Sequence, residues 1–133
     1  MVTPPAPQVR AVRGATTVEV DEPCAIKAAT CELLATILER NSVHPDDLIS
    51  AVFTVTGDLT SAFPALAARE MGWTDVPLLC ALEIPVPDAL PRCVRVLLHV
   101  TSTRPRAAID HVYLRRAVAL RPDLARARPA DDA

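Results

Sequence analysis

One apolar run, Arg92-Cys93-Val94-Arg95-Val96-Leu97-Leu98-His99-Val100, constrains the fold more than any other part of the chain. Its β-branched and aliphatic side chains predict a strand. Because side chains alternate along a strand, Arg95 lies on the face opposite the valines of this run. An arginine there is either exposed on one side of a sheet or buried with an anion, since a buried unpaired charge is too costly. The strand alone favours an exposed or structurally paired arginine, and the rest of the chain favours an anion site.

The size and charge of the chain limit the classes of protein to consider. Its 133 residues are enough for one domain with one core. The net charge of −2 gives no support for nucleic-acid binding by bulk electrostatics. No apolar run approaches the roughly 20 residues that a membrane helix needs. We therefore expect a globular protein that binds neither nucleic acid nor membrane.

The two ends of the chain differ in composition from the part between them. Residues 1–8 are rich in proline and lack the pattern of a signal peptide, so we expect a disordered N-terminal segment there. Residues 9–124 form the predicted single domain, and residues 125–133 the predicted mobile C-terminal tail. The four cysteines form no C-x-x-C pair, which predicts reduced thiols, a cytoplasmic location and no metal site.

The first half of the domain predicts a strand followed by a long helix. Val9 to Arg13 is a predicted strand that ends at Gly14, where we expect a turn. Asp21 is the predicted helix cap, and Pro23 stands near the first helical position. Apolar residues at helical spacing then predict a helix that runs to about Asn41 and packs on the core.

The second half of the domain predicts three strands and a short helix in addition to the Arg95 strand. A strand over Ile49–Thr56 precedes a short helix that begins at Pro64 and ends before Gly72. Leu78–Ile84 is almost wholly apolar, so it predicts a strand buried on both faces. His111–Leu120 predicts the last strand. The fold class expected is α+β, a mixed sheet of about five strands with one long and one or two short helices packed on it.

Several charged residues fall near or within these predicted strands. The connection between Leu78–Ile84 and the Arg95 strand is short, which predicts that the two strands are neighbours and that Glu83 lies close to Arg95. Arg13, Arg69 and Arg121 add further guanidiniums, which grip carboxylates through two parallel hydrogen bonds. No Ser-His-Asp, Cys-His or glycine-rich phosphate motif accompanies them. The pattern is typical of a site that binds a small anion and has no nucleophile.

A series of short motifs resembles those of the trimeric, AroH-class chorismate mutases, in register from about Val9 to Leu124. The motifs are Val12-Arg13-Gly14-Ala15-Thr16-Thr17-Val18-Glu19, Phe63-Pro64-Ala65, Ala68-Arg69-Glu70, Gly72-Trp73, Val76-Pro77, Cys80-Ala81-Leu82-Glu83, Cys93-Val94-Arg95-Val96, His111-Val112-Tyr113-Leu114 and Leu120-Arg121-Pro122-Asp123-Leu124. The resemblance implies an enzyme that converts chorismate to prephenate by an intramolecular Claisen rearrangement in aromatic amino acid biosynthesis. It also implies a homotrimer of pseudo-α/β-barrel appearance, with no cofactor and with active sites between subunits.

The resemblance assigns the central roles to residues of one subunit. It implies that Arg95 donates to the ether oxygen whose bond breaks and that Arg13 binds a carboxylate of the enolpyruvyl side chain. It implies that Tyr113 assists, and that Glu83 and the backbone of Cys80 meet the ring hydroxyl. A pericyclic reaction needs no acid, base or nucleophile, but it needs a compact substrate conformer and a fixed positive group at the ether oxygen.

The remaining implied residues lie around this centre. Phe63 and Arg69 are expected from the neighbouring subunit, and Leu120 and Arg121 near the mouth of the site. The chain departs from the family at Leu66, where a lysine is frequent, and at Leu79, where a small polar residue is frequent. Two alternatives remain open from the residues alone, a non-catalytic trimeric anion-binding or regulatory protein and an enamine/imine deaminase of similar trimeric shape.

Overall fold

The computed structural model describes residues 5–125. These residues form a five-stranded mixed sheet with one long helix on one face. The strands are paired in the order β3-β2-β4-β1-β5. In chain order the elements are β1 (Gln8–Thr17), α1 (Pro23–Asn41), β2 (Leu48–Val55), α2 (Ala65–Glu70), β3 (Leu78–Leu82), β4 (Cys93–Ser102), β5 (Val112–Tyr113) and α3 (Pro122–Ala125). The predicted α+β class is confirmed.

The terminal segments fall largely outside the described residues. Residues 1–4 of the predicted disordered segment 1–8 lie outside the described residues, and Gln8 already belongs to β1. The predicted mobile tail over residues 125–133 also lies outside the described residues, apart from its first position in α3. No helix within residues 5–125 is long and apolar enough to cross a membrane.

Helix α1 covers one face of the sheet, as its apolar spacing predicts. Its buried residues Ile26, Leu33, Leu34 and Ile37 provide a continuous apolar stripe. They pack on the alternate side chains of the two central strands, which are Val12, Val94, Val96, Leu98 and Val100. The helix bounds agree with the prediction, but Asp21 does not cap the helix. Glu22 holds the cap position without a side-chain bond, because the Asp21 carboxylate is bound elsewhere.

Strand β1 runs straight through Gly14, so the predicted turn at this glycine is wrong. The glycine lies beneath α1, and a Cβ atom there would lie 2.6 Å from Cδ1 of Ile37 and 3.1 Å from Cγ1 of Val96. The residue is small because the helix approaches the sheet closely at this point. As a result, Arg13 and Ala15 stay on the same face of one continuous strand.

Gly14→Ala should lower the free energy of unfolding by about 1–3 kcal/mol, because an added methyl overpacks the contact between helix and sheet. Chemical denaturation measures this loss. Gly57→Ala is the matched control, since a Cβ atom at Gly57 would meet nothing within 4 Å. Equal effects of the two substitutions would contradict the close approach of α1 to Gly14.

Strand β3 is an edge strand, which corrects two predictions. It pairs in parallel with β2, and β4 pairs with the other side of β2, so β3 and β4 are not neighbours. It is also not buried on both faces, since Leu79 and Leu82 are 63% and 66% exposed. The connection between β3 and β4 is short, yet it spans the width of β2.

The predicted last strand over His111–Leu120 is also wrong for most of its length. Only Val112–Tyr113 pairs with β1, in parallel, and Arg115–Leu120 turns into a 3₁₀ helix. Ala117 on that helix is buried against Ala15 and Cys93. The apolar residues of this segment therefore close the end of the sheet and do not extend it.

Candidate active site

The face of the sheet opposite α1 carries most of the predicted site residues. Arg95 on β4 stands opposite Ala15 on β1 and Thr54 on β2, so the three side chains share that face. Tyr113 on β5 pairs with Ala15 and joins them. We call this the open face, because among the described residues no α-helix packs along it and only the 3₁₀ helix Arg115–Leu120 covers its end at Ala15 and Cys93.

One cavity on the open face brings three of the predicted residues together. Arg13, Arg95 and Tyr113 line a cavity of about 370 Å³, with Thr54 and apolar side chains of β1, β2 and β4 as the remaining walls. Two guanidiniums and a phenol thus converge on a space large enough for a small organic anion. Apart from that, the walls are mainly apolar, which is typical of small-molecule sites.

Glu83 lies beside Arg95, as the sequence predicts, but for a different structural reason. Nε of Arg95 is 3.6 Å from Oε2 of Glu83. The two residues come together across β2, because Thr54 pairs with Arg95 on one side and with Ala81 of β3 on the other. The hydroxyl of Thr54 also donates a hydrogen bond to the Glu83 carboxylate. A guanidinium has five N–H donors, so this ion pair leaves donors of Arg95 for an anion in the cavity.

Arg13 is anchored through its backbone. Its N–H donates to Nδ1 of His111 over 2.9 Å, so that nitrogen is an acceptor and the ring carries its proton on Nε2 when it is neutral. Burial lowers the pKa of His111, and the nearby Arg13 and Arg121 guanidiniums lower it further. The Arg13 side chain makes no ion pair with a carboxylate within residues 5–125. His111 was not among the predicted site residues, although it begins one of the motifs.

Leu120 and Arg121 lie next to Tyr113 at the end of the sheet. Leu120 packs with Tyr113 against Ala15. Arg121 forms an ion pair with Asp123 over 3.0 Å. A hydrogen bond with Asp123 raises the pKa of Arg121, and Tyr113 contributes to the same shift. Both residues therefore belong to the neighbourhood of the cavity that Arg13 and Arg95 line.

The start of β4 is fixed by a polar network that the sequence did not reveal. The N–H of Cys93 donates to Oγ1 of Thr56 over 2.9 Å, and that hydroxyl donates to the Asp58 carboxylate over 2.5 Å. The N–H of Arg92 donates to the same carboxylate at 3.0 and 3.1 Å. Burial raises the pKa of the Cys93 thiol, while the adjacent Arg95 acts in the opposite direction. Arg95 thus extends from a strand whose start is fixed by hydrogen bonds from Arg92 and Cys93 to Asp58 and Thr56.

Phe63 and Cys80 line a different cavity, of about 400 Å³, at the β3 edge. Cys80 pairs with buried Phe53, so its side chain lies on the face that α1 covers and not on the open face. Phe63 is 74% exposed. Arg69 is exposed on α2 and makes no ion pair within the described part of the chain. The chain by itself does not bring Phe63 or Arg69 to Arg95.

Metal ligands were not predicted in this chain. Within residues 5–125, no group of three or more histidine, cysteine, aspartate or glutamate side chains is placed to hold a metal ion. The independence of the reaction from metals and cofactors stays a prediction.

Comparisons with known proteins agree with this geometry. A sequence model of the family described as Chorismate mutase type I matches residues 9–124. Chorismate mutase AroH of Thermus thermophilus is 56% identical over 117 residues, which cover 87% of this chain and 96% of that protein. Chorismate mutase AroH of Bacillus subtilis (strain 168) is 44% identical over 117 residues, or 87% and 92% of the two chains. The solved structure of a chorismate mutase from Clostridium thermocellum has a TM-score of 0.81 at 49% identity, covering 82% of this chain and 97% of that one.

Proposed function

This chain belongs to the type I chorismate mutases and is an isomerase of chorismate to prephenate in aromatic amino acid biosynthesis, and we propose that its reaction takes place in the Arg13–Arg95–Tyr113 cavity. The single observation that carries this proposal is the convergence of these three side chains on one cavity, with Glu83 beside Arg95. The family match sets aside the anion-binding protein and the deaminase that the residues alone had left open.

The substrate carries two carboxylates and rearranges without a nucleophile, so we assign electrostatic and positioning roles. Arg95 donates to the ether oxygen, where negative charge develops as the C–O bond breaks. Arg13 binds the carboxylate of the enolpyruvyl side chain, and Tyr113 closes the same wall. The ion pair with Glu83 and the anchored start of β4 keep the Arg95 guanidinium in place before the substrate arrives. A preorganised donor of this kind stabilises the transition state without a reorganisation cost.

Glu83 and the Cys80 backbone receive the ring hydroxyl in this proposal. The Glu83 carboxylate accepts hydrogen bonds, and it lies against Arg95 and Thr54, which both line the cavity. Leu120 and Arg121 form the mouth, where Arg121 adds a second positive charge for a substrate carboxylate. Conformational restriction by these contacts supplies the compact reactive conformer that the rearrangement needs.

We also propose that the protein works as a homotrimer whose sites lie between subunits. Phe63 and the β3 edge form an exposed apolar surface that is distinct from the open face, with Phe63, Leu82 and Ile84 exposed by 66–78%. A large exposed apolar patch and an unpaired strand edge are both typical of surfaces that another chain covers. Because the two surfaces differ, their contact is heterologous and closes only as a ring. The family resemblance favours three subunits in this ring, with Phe63 and Arg69 contributed to the neighbour's site.

A cytoplasmic location is part of the same proposal. All four cysteines, Cys24, Cys31, Cys80 and Cys93, are free thiols. Unpaired cysteines are typical of proteins in reducing compartments.

Mixing two inactive variants tests both the shared site and the ring. Arg13→Ala and Arg69→Ala should each lose activity, because each removes a guanidinium from every site. A mixed ring has some interfaces at which both arginines are present, so refolding an equal mixture should restore roughly a quarter of wild-type activity. The rate of chorismate loss, followed by absorbance, measures this.

Each variant refolded alone is the control and should stay inactive. Sedimentation should show a trimer for the wild type and both variants. A fully active monomer, or a mixture that recovers no activity from two well-folded trimers, would contradict sites shared between subunits.

A further inference from the structure

The carboxylate of Asp21 binds a loop that lies 39–40 residues further along the chain. Its Oδ1 accepts hydrogen bonds from the N–H groups of Thr60 and Ser61, both at 3.1 Å, and from the Ser61 hydroxyl at 2.8 Å. Its Oδ2 accepts from the Thr60 N–H at 3.2 Å and from the Thr60 hydroxyl at 3.0 Å. Four donor groups of two adjacent residues therefore converge on one side chain.

This arrangement favours the ionised carboxylate. The hydrogen bond from the Ser61 hydroxyl lowers the pKa of Asp21 most, and the Thr60 donors lower it further against an opposing effect of desolvation. Since an ionised carboxylate only accepts hydrogen bonds, all four donors can be satisfied at neutral pH.

The loop that Asp21 binds leads directly to Phe63. Between β2 and α2 the chain has no strand or helix, so its course depends on side-chain anchors. Leu59 is one anchor, buried with Ile26 and Val94, and Asp21 is the other. Thr60, Ser61 and Phe63 all line the cavity that contains Cys80. With Phe63 74% exposed, few contacts of its own ring fix its place.

We propose that Asp21 is a positioning residue for the reaction, which holds the Thr60–Ser61 loop so that Phe63 reaches the substrate in the neighbouring subunit's site. This inference rests on the proposed function, because it uses the proposed place of Phe63. Asp21 itself touches no substrate. It fixes the backbone two residues before Phe63, and a small displacement of a group that restricts the substrate is costly in rate.

Asp21→Ala removes every acceptor and should lower kcat/KM by about tenfold. Asp21→Asn keeps one carbonyl oxygen and should lose less, and Glu22→Ala is the matched control, since Glu22 makes no side-chain cap bond. Hydrogen exchange at the Thr60 and Ser61 amides should become faster in Asp21→Ala and stay unchanged in Glu22→Ala. Unchanged exchange, or kcat/KM within twofold of wild type, would overturn the proposal.

A double-mutant cycle separates positioning through Phe63 from general stabilisation. If Asp21 acts through Phe63, then Asp21→Ala should have no further effect on kcat/KM in a Phe63→Ala background. Additive losses would overturn the role of Asp21 while leaving Phe63 in the site. A Phe63→Ala variant with wild-type kcat/KM would instead refute the place of Phe63 in the proposed function, and the role of Asp21 with it.

Discussion

Arg95→Ala is expected to lower kcat by at least ~10²–10³, equivalent to about 2.7–4 kcal/mol of transition-state stabilisation. The reason is that Arg95 lines the cavity and is held beside Glu83, on a strand anchored at its start. In the proposed role, the Arg95 guanidinium stabilises negative charge that the ether oxygen gains only as the C–O bond breaks, so the loss should appear mainly in kcat and less in KM. Steady-state measurement of chorismate consumption gives both constants.

Arg115→Ala is the matched control for this prediction. Arg115 forms an exposed ion pair with Glu32 of α1 over 3.2 Å, on the side of the molecule away from the open face. Its removal takes away one guanidinium without touching the cavity, so kcat should stay within about twofold of wild type. A folded Arg95→Ala protein with near wild-type kcat would refute the assigned role of Arg95.

Phe53→Ala should cost about 3–5 kcal/mol of unfolding free energy, a large share of the 5–15 kcal/mol typical of a domain. Phe53 is fully buried on the helix-covered face of β2, in one cluster with Leu34, Trp73 and Val96. Removing the ring leaves a cavity that this well-packed cluster refills only in part. Chemical denaturation at a fixed protein concentration measures the loss, because the proposed assembly would make apparent stability depend on concentration.

Phe53→Leu keeps most of the apolar volume and serves as the comparison. It should lose markedly less stability than Phe53→Ala, since the remaining cavity is smaller. Equal losses would show that the aromatic ring matters for a reason other than the space it fills.

The parts of the fold that depend on local periodicity were predictable from the sequence. Helix α1 has the predicted bounds, and the alternation of β4 places Arg95 opposite the core valines as expected. Both patterns arise from neighbouring residues on one element, which a sequence displays directly.

Strand order was not predictable in the same way. The short connection after Leu78–Leu82 suggested that β3 and β4 are adjacent, but β2 lies between them. Strand pairing is set by contacts between residues far apart in the chain. The apolar sequence of β3 suggested full burial, although a single chain covers only part of this edge. The turn predicted at Gly14 is wrong because the small size of this residue allows α1 to pack closely on the sheet and does not mark a turn.

In the candidate site, too, residues within local motifs were predictable, and residues with distant partners were not. Arg13, Arg95, Glu83 and Tyr113 were found because they stand in recognisable motifs, and the structure groups them. The supporting residues were missed. Thr54 binds Glu83, and Thr56 and Asp58 fix the start of β4, through contacts that span tens of residues. The sequence predicts a helix cap at Asp21 because cap patterns are local, while the actual partners of Asp21 are distant in sequence.

The exposed edge of β3 has a consequence for the order in which subunits come together. In the proposed heterologous ring of three, a pair of subunits buries one interface, and the third subunit to join buries two at once. Pairs are therefore poor in stabilising contacts compared with complete rings and should be scarce at equilibrium. A pair also leaves one unpaired strand edge open to any other extended chain. Dilution experiments should then show trimers dissociating directly to monomers, without a populated dimer. Aggregation should compete with assembly while subunits are still monomeric.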